Sequence, residues 1–283
     1  LYRKQGYIVA RRIIAAVLIT IGILFVVRHF STTRRTDVNV ERDDTFVFHR
    51  TVTGHEGAGG PLLTATVRPA AGHEVMVEYG RRGMDVFHRI LMERAGDDSF
   101  EASLPHFPIA TRVDYALTVS MPHALAIRLP AKADKFYTVR YKGEVSRLVI
   151  ALHIVFMFAS LFFMLLALFG AVRILRLGES KRSTVGSGRW ALLCSFIGGW
   201  PLGFILNYQA FGVVWEGYPF GRDITDNKTQ VIFLVWLASL LLVRGSFLGR
   251  GEEKDRLGAR AFAWVIVGSF VVSFALFIVP HSM

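Results

Sequence analysis

Residues 215–229 read WEGYPFGRDITDNKT and gather three aromatics, two glycines, a proline, three carboxylates, an arginine, an asparagine and a lysine into fifteen positions. That density exceeds what a plain connector needs, and function concentrates on such loops. Asp223 and Asp226 are joined by two histidines that the chain's layout assigns to the same side: His153, inside an apolar run, and His281, near the C-terminus. Two imidazoles and two carboxylates make a ligand set suited to a divalent metal such as zinc, iron or manganese. Carboxylates beside hydrocarbon are costly unless paired or coordinated. Lys228 and Arg222 are rival counter-charges that need no metal, and a lipid headgroup or a quinone-like ligand would also fit there.

The plainer chemistry of the stretch is structural. Gly217, Pro219 and Gly221 favour a tight turn. Trp215, with Trp200, Tyr208 and Tyr218, suits an interfacial anchor. Glu216 adds a further carboxylate, and Asp226 or Thr225 is expected to cap the helix that follows Asn227 and Lys228. His153 reads equally as an interhelical hydrogen bond. The histidines of the first half, His49, His55, His73, His88, His106 and His123, lack close metal-clamp spacing and are expected at the surface. No phosphate loop, nucleophile elbow, HExxH helix or dinucleotide fingerprint occurs. That argues against the commonest enzyme classes, though not against a new one.

The elements that position these groups follow from composition. With 283 residues, 52% of them hydrophobic, and 23 Phe, the chain reads as a membrane protein. Its formal charge of +11 sits in short flanks: four basic and no acidic residues in 1–12, five against one in 173–189, and five against three in 244–260. Residues 28–147 are nearly balanced, with 17 basic and 15 acidic. This is the positive-inside pattern of cytoplasmic loops, and it provides no basic module for nucleic acid. The single cysteine, Cys194, rules out an internal disulfide.

Five spans are expected, at residues 13–27, 148–172, 190–214, 230–243 and 261–279, the third kinked or broken at Gly198-Gly199-Trp200-Pro201. Gly186, Ser187 and Gly188 are expected to make the basic loop before it flexible. Between the first two spans, residues 30–146 change to the alternating pattern of a soluble β domain. Strand segments are expected at 46–52, 62–67, 74–79, 86–92, 100–104, 113–119, 124–129 and 136–141, which predicts a β-sandwich without a cofactor. The domains are thus an N-terminal helix (1–29), a periplasmic sandwich (30–146) and a four-helix membrane part (147–283) carrying the 215–229 loop on its outer face.

Two resemblances bear on this layout. Val75 to Tyr79, the Met92 strand and Ser99-Phe100-Glu101-Ala102-Ser103-Leu104-Pro105, followed by Arg112-Val113-Asp114-Tyr115, resemble fibronectin type III and immunoglobulin-like domains. Arg140-Tyr141-Lys142-Gly143, His153 in HIVFMF, the WEGYPFGRDITDNKT stretch and Pro280-His281-Ser282 together resemble an uncharacterised bacterial multi-pass integral membrane protein family. That likeness brings no activity with it. A sandwich joined to a compact helical bundle implies an accessory or assembly subunit of an inner-membrane complex, respiratory or photosynthetic electron transfer being obvious hosts. Its partners would be membrane lipids and other integral membrane subunits. The alternative is a membrane enzyme or ion-handling protein working at the outer site. With the N-terminus cytoplasmic, a cysteine placed at Ala58 is expected to react with an impermeant label from outside, and one at Ser183 is not; the reverse result would overturn the orientation.

Overall fold

The computed structural model describes residues 2–31, 36–120 and 125–279, with the side chains of the first helix described for 10–26 and His29. The chain divides into two compact units. One comprises Arg34–Val145 with Gln209–Gly212, and the other Leu1–Thr33, Ser146–Tyr208 and Val213–Met283.

The described residues of 34–145 in the first unit form an all-β fold. Its strands are β1 (Asp37–Arg42), β2 (Thr45–Arg50), β3 (Gly54–Glu56), β4 (Leu62–Arg68), β5 (Glu74–Arg81), β6 (His88–Leu91), β7 (Glu93–Arg94), β8 (Ser99–Ser103), β9 (Arg112–Ser120), β10 (Ile127–Leu129) and β11 (Tyr137–Lys142). One sheet runs β1-β2-β4-β8-β7; the other runs β3-β11-β9-β5-β6, with β10 also paired to β9. Period-two alternation causes this arrangement. In β4 the sequence LLTATVR turns Leu63, Ala65 and Val67 inward; in β9 RVDYALTVS turns Val113, Tyr115, Leu117 and Val119 inward. These residues share one buried cluster with Val75, Val77, Val139 and Tyr141, so the two sheets close over a common core. Each of the eight expected segments holds a strand. The additional strands, β1, β3 and β7, are charged or only two or three residues long and give little alternation to read.

His49 is not the surface residue its spacing suggested. It is fully buried on β2. Its Nδ1 lies 2.8 Å from the Thr64 carbonyl, which only accepts, so Nδ1 carries the proton and Nε2 accepts from the Tyr115 hydroxyl at 3.1 Å. The same Tyr115 oxygen accepts the Val52 N–H at 2.9 Å. A buried imidazole survives here because each of its nitrogens has a partner. His123 lies outside the described residues.

The second unit is helical: α1 (Tyr2–Ser31), α2 (Arg147–Leu177), α3 (Arg182–Ile197), α4 (Gly203–Phe211), α5 (Ile224–Leu241), α6 (Arg244–Leu248) and α7 (Ala259–Ile278). Among the described residues three helices are long and apolar enough to cross a membrane, not the expected five: Arg147–Leu177, Arg182–Phe211 and Ala259–Ile278. The expected fourth span lies in α5, but that helix opens with ITDNKTQ, and seven polar-rich positions dilute its apolar run. The expected first span lies in α1, whose side chains are described only in part. The kink or break expected at 198–201 takes the form of a single π-helical turn, Gly198–Leu202, that joins α3 to α4; the wider turn accommodates the missing proline donor.

The expected flexible loop at Gly186-Ser187-Gly188 is also corrected, since it forms the body of α3. A Cβ on Gly188 would lie 3.0 Å from Leu240 Cδ2, so this position is small because α5 packs against it. Serines join α5 to α7: Trp236 Nε1 donates to Ser273 Oγ at 2.9 Å, and the Ser239 and Ser269 hydroxyls lie 2.7 Å apart. Away from the 215–229 stretch, Lys181 and Asp255 form an ion pair of 2.7 Å in which both side chains are almost completely buried.

The His49 linkage sets a prediction for the β unit. Burial holds the His49 pKa below its usual value, with the Thr64 hydrogen bond opposing in part. The unfolded chain therefore takes up a proton near pH 6.5 that the folded chain refuses. Stability is expected to be full above about pH 6.5 and to fall as pH drops toward the depressed folded value. Tyr115→Phe strands the Val52 amide and is expected to cost about 1–3 kcal/mol at neutral pH in denaturant unfolding.

Candidate functional site

The 215–229 stretch forms a closed loop followed by the first two turns of α5. Asp223 is the N-cap residue of that helix: its side chain accepts from the amides of Thr225 at 2.7 Å and Asp226 at 3.1 Å. The cap thus lies two to three residues before the expected Thr225 or Asp226. The reading from sequence placed the helix start too late because the apolar run begins only after Gln230, whereas the backbone turns helical at Ile224.

Asp226, released from capping, faces back into the loop. It is 9% exposed. One of its oxygens accepts the Glu216 N–H at 2.8 Å, and the carboxylate also accepts from Asn207 Nδ2 at 3.1 and 3.2 Å. Asn227 Oδ1 accepts the Tyr218 N–H at 2.7 Å, and the Asp223 N–H donates to the Glu216 carbonyl at 2.9 Å. The glycines are small because the loop folds on itself. A Cβ on Gly221 would meet the Glu216 carbonyl oxygen at 2.1 Å, and one on Gly217 would meet Asp226 Cβ at 2.8 Å. The Tyr218–Pro219 peptide is cis. Trp215 stacks on Trp200 with ring centres 6.1 Å apart and meets the edge of Phe204, which ties the loop to α4 and the π-turn.

Of the remaining predicted residues, His153 and Lys228 are described. His153 Nδ1 lies 3.0 Å from the Gly198 carbonyl, to which it donates, giving the interhelical hydrogen bond that the sequence allowed. Lys228, 7% exposed, donates from Nζ to the Val279 carbonyl at the end of α7 at 2.8 Å. His281 lies outside the described residues. Among the described residues no group of three or more His, Cys, Asp or Glu side chains is placed to hold a metal ion. His153 and Lys228 both line a cavity of about 540 Å³ between α1, α2, α5 and α7. Thr225 and Thr229 complete its polar lining, while Phe25, Met157, Phe158, Ile232 and Phe277 are among its apolar walls.

Sequence reasoning missed Asn207 and the cavity. Asn207 carried a signal, being the one asparagine within the largely apolar third stretch. The cavity carried none, because its walls come from four helices far apart in the chain. No protein-family model matches the chain, and no curated protein matches it. The resemblance to bacterial multi-pass proteins rests on the motif residues alone.

Asp226→Ala removes the acceptor of a backbone amide and of the Asn207 amide together. The variant is expected to lose about 2–4 kcal/mol and to open the loop, so that trypsin cleaves after Arg222 at least about 10-fold faster than in the parent protein. Unchanged cleavage would show that the carboxylate does not hold the loop.

Proposed function

We propose that the chain is an accessory or assembly subunit of a larger bacterial inner-membrane complex, of the respiratory or photosynthetic electron-transfer kind, with its N-terminus cytoplasmic and its β unit periplasmic. The observation that carries this reading is the tip of the loop. While Asp223, Asp226 and Asn227 bind backbone amides at the root of the loop, Phe220 is 85% exposed and Tyr218 71% exposed at its tip. Large aromatics held outward on an internally bonded support are the side chains that dominate protein–protein binding energy, because little conformational freedom remains to be lost when a partner covers them.

Two further features support the setting. Val155 on α2 and Trp264 and Val271 on α7 point outward at 59–65% exposure, as lipid or neighbouring helices would require. The charge excess of 1–12, 173–189 and 244–260 fits one cytoplasmic side. The competing reading, a membrane enzyme or an ion- or metal-binding protein acting at this end of the bundle, expects activity or bound metal without partners.

Purification in mild detergent followed by mass spectrometry separates the two. An integral membrane partner is expected at fixed stoichiometry. Tyr218→Ala with Phe220→Ala is expected to weaken its retention by at least about 2 kcal/mol, the scale of interface hot spots, without changing helix content. A monodisperse, active, partner-free protein, or one carrying stoichiometric metal by elemental analysis, would replace the subunit reading with its competitor.

A further inference from the structure

We infer that the cavity between α1, α2, α5 and α7 is a binding site for a hydroquinone with a single apolar chain, its phenolic hydroxyl donating to His153 Nε2. The inference is independent of the docking role assigned to the loop tip.

The polarity of the cavity is graded. α2 and α5 both begin at the same end of the bundle, since His153 lies in the second turn of α2 and lines the cavity together with Thr225, Lys228 and Thr229 from the first two turns of α5. One and two turns further along the same helices the lining becomes Met157, Phe158 and Ile232. A ligand that fits this gradient has a polar head at the helix beginnings and an apolar chain directed into the bundle. The volume of about 540 Å³ lies within the usual small-molecule range of roughly 300–1,000 Å³.

The head follows from the tautomer of His153. Its Nδ1 faces a carbonyl oxygen, which accepts only, so in the neutral ring the proton sits on Nδ1 and Nε2 is left as an acceptor. Among the described residues Nε2 has no hydrogen-bond partner, while the ring belongs to the cavity wall. An acceptor on the wall of a mainly apolar space is satisfied by a ligand that brings a hydrogen-bond donor. A carbonyl, an ether or a phosphate diester cannot supply one. A hydroxyl can.

The ring follows from the walls. Phe25, Phe158 and Phe277 offer aromatic faces and edges, and Met157 adds a thioether, the surroundings in which an aromatic head gains most over an aliphatic alcohol. Lys228 brings an ammonium to the same end, which favours the electron-rich oxygens of a dihydroxy ring. No electron transfer is implied, because binding alone accounts for each of these contacts.

The test uses the full-length protein in detergent, under anaerobic conditions with reductant added only to the hydroquinone sample, with three probes that differ only at the head: decylhydroquinone, its dimethyl ether and decylquinone. Decylhydroquinone is expected to bind about 10-fold or more tightly than either analogue, the effect of one hydrogen bond to an otherwise unpartnered acceptor. In His153→Leu that preference should vanish, with the residual affinity equal for all three. Equal binding of the three probes to the parent protein, binding of none, or a preference that survives His153→Leu would each overturn the assignment. Should His153→Leu fail to fold, the comparison of hydroquinone with ether on the parent protein decides by itself. Tightly retained phospholipid in native mass spectrometry that decylhydroquinone does not displace would identify the cavity as a lipid seat and also overturn it.

Discussion

The Asp226 carboxylate is the interaction on which the 215–229 region depends. A chain that leaves one helix, turns sharply and enters another exposes backbone amides that neither helix can satisfy. In a capping box the acid at the third helical position reaches back to the amide of the capping residue. Here that position is Asp226, but the amide of the capping residue Asp223 is already bonded to the Glu216 carbonyl. Asp226 is therefore free to reach further and accepts from the Glu216 amide and from Asn207. One carboxylate ties the loop entrance, the preceding helix and the following helix together. This division of labour between Asp223 and Asp226 explains why two acids stand three residues apart in a largely apolar half of the chain.

The same economy shapes other polar groups of the helical unit. Lys228 ends on a terminal carbonyl of α7, which has no intrahelical donor of its own. The serines between α5 and α7 return their hydroxyls to carbonyls one turn back, Ser239 to Val235 and Ser273 to Ser269, while also meeting each other or Trp236. Lys181 meets Asp255, which also accepts the Ser246 amide at 2.8 Å. These buried polar side chains stand at helix ends or between helices, where backbone groups or neighbours would otherwise lack partners. A dense polar motif in such a chain is consequently a sign of demanding backbone geometry before it is a sign of catalysis.

How much of this was legible depends on whether a local pattern encodes it. The alternation in LLTATVR and RVDYALTVS reports which side chains face inward, so the strands could be read. A burial pattern cannot say that His49 is inward because Tyr115, sixty-six positions away, supplies its second partner. The start of α5 was misplaced for a related reason. Apolar periodicity marks the part of a helix that packs, and the first two turns of α5 bury Asp226, Lys228 and Thr229 instead. Glycine and serine at 186–188 suggested a flexible joint, but glycine is equally the residue that admits a neighbouring helix, and only the position of Leu240 distinguishes the two.

The helical unit also shows why a site can be invisible in sequence even when its key residue is obvious. His153 stands out as the one histidine in an apolar run, and its hydrogen bond to the π-turn could be anticipated as a type. What that bond does to the rest of the ring could not. By accepting a hydrogen bond from Nδ1–H, the Gly198 carbonyl holds the proton on Nδ1 and leaves Nε2 as an acceptor. The carbonyl is positioned there by a widened turn at Gly198–Leu202, a consequence of Pro201 having no amide to donate. A proline three residues beyond the Gly198 carbonyl thus bears on the hydrogen-bonding role of a histidine that lies forty-five positions before that carbonyl.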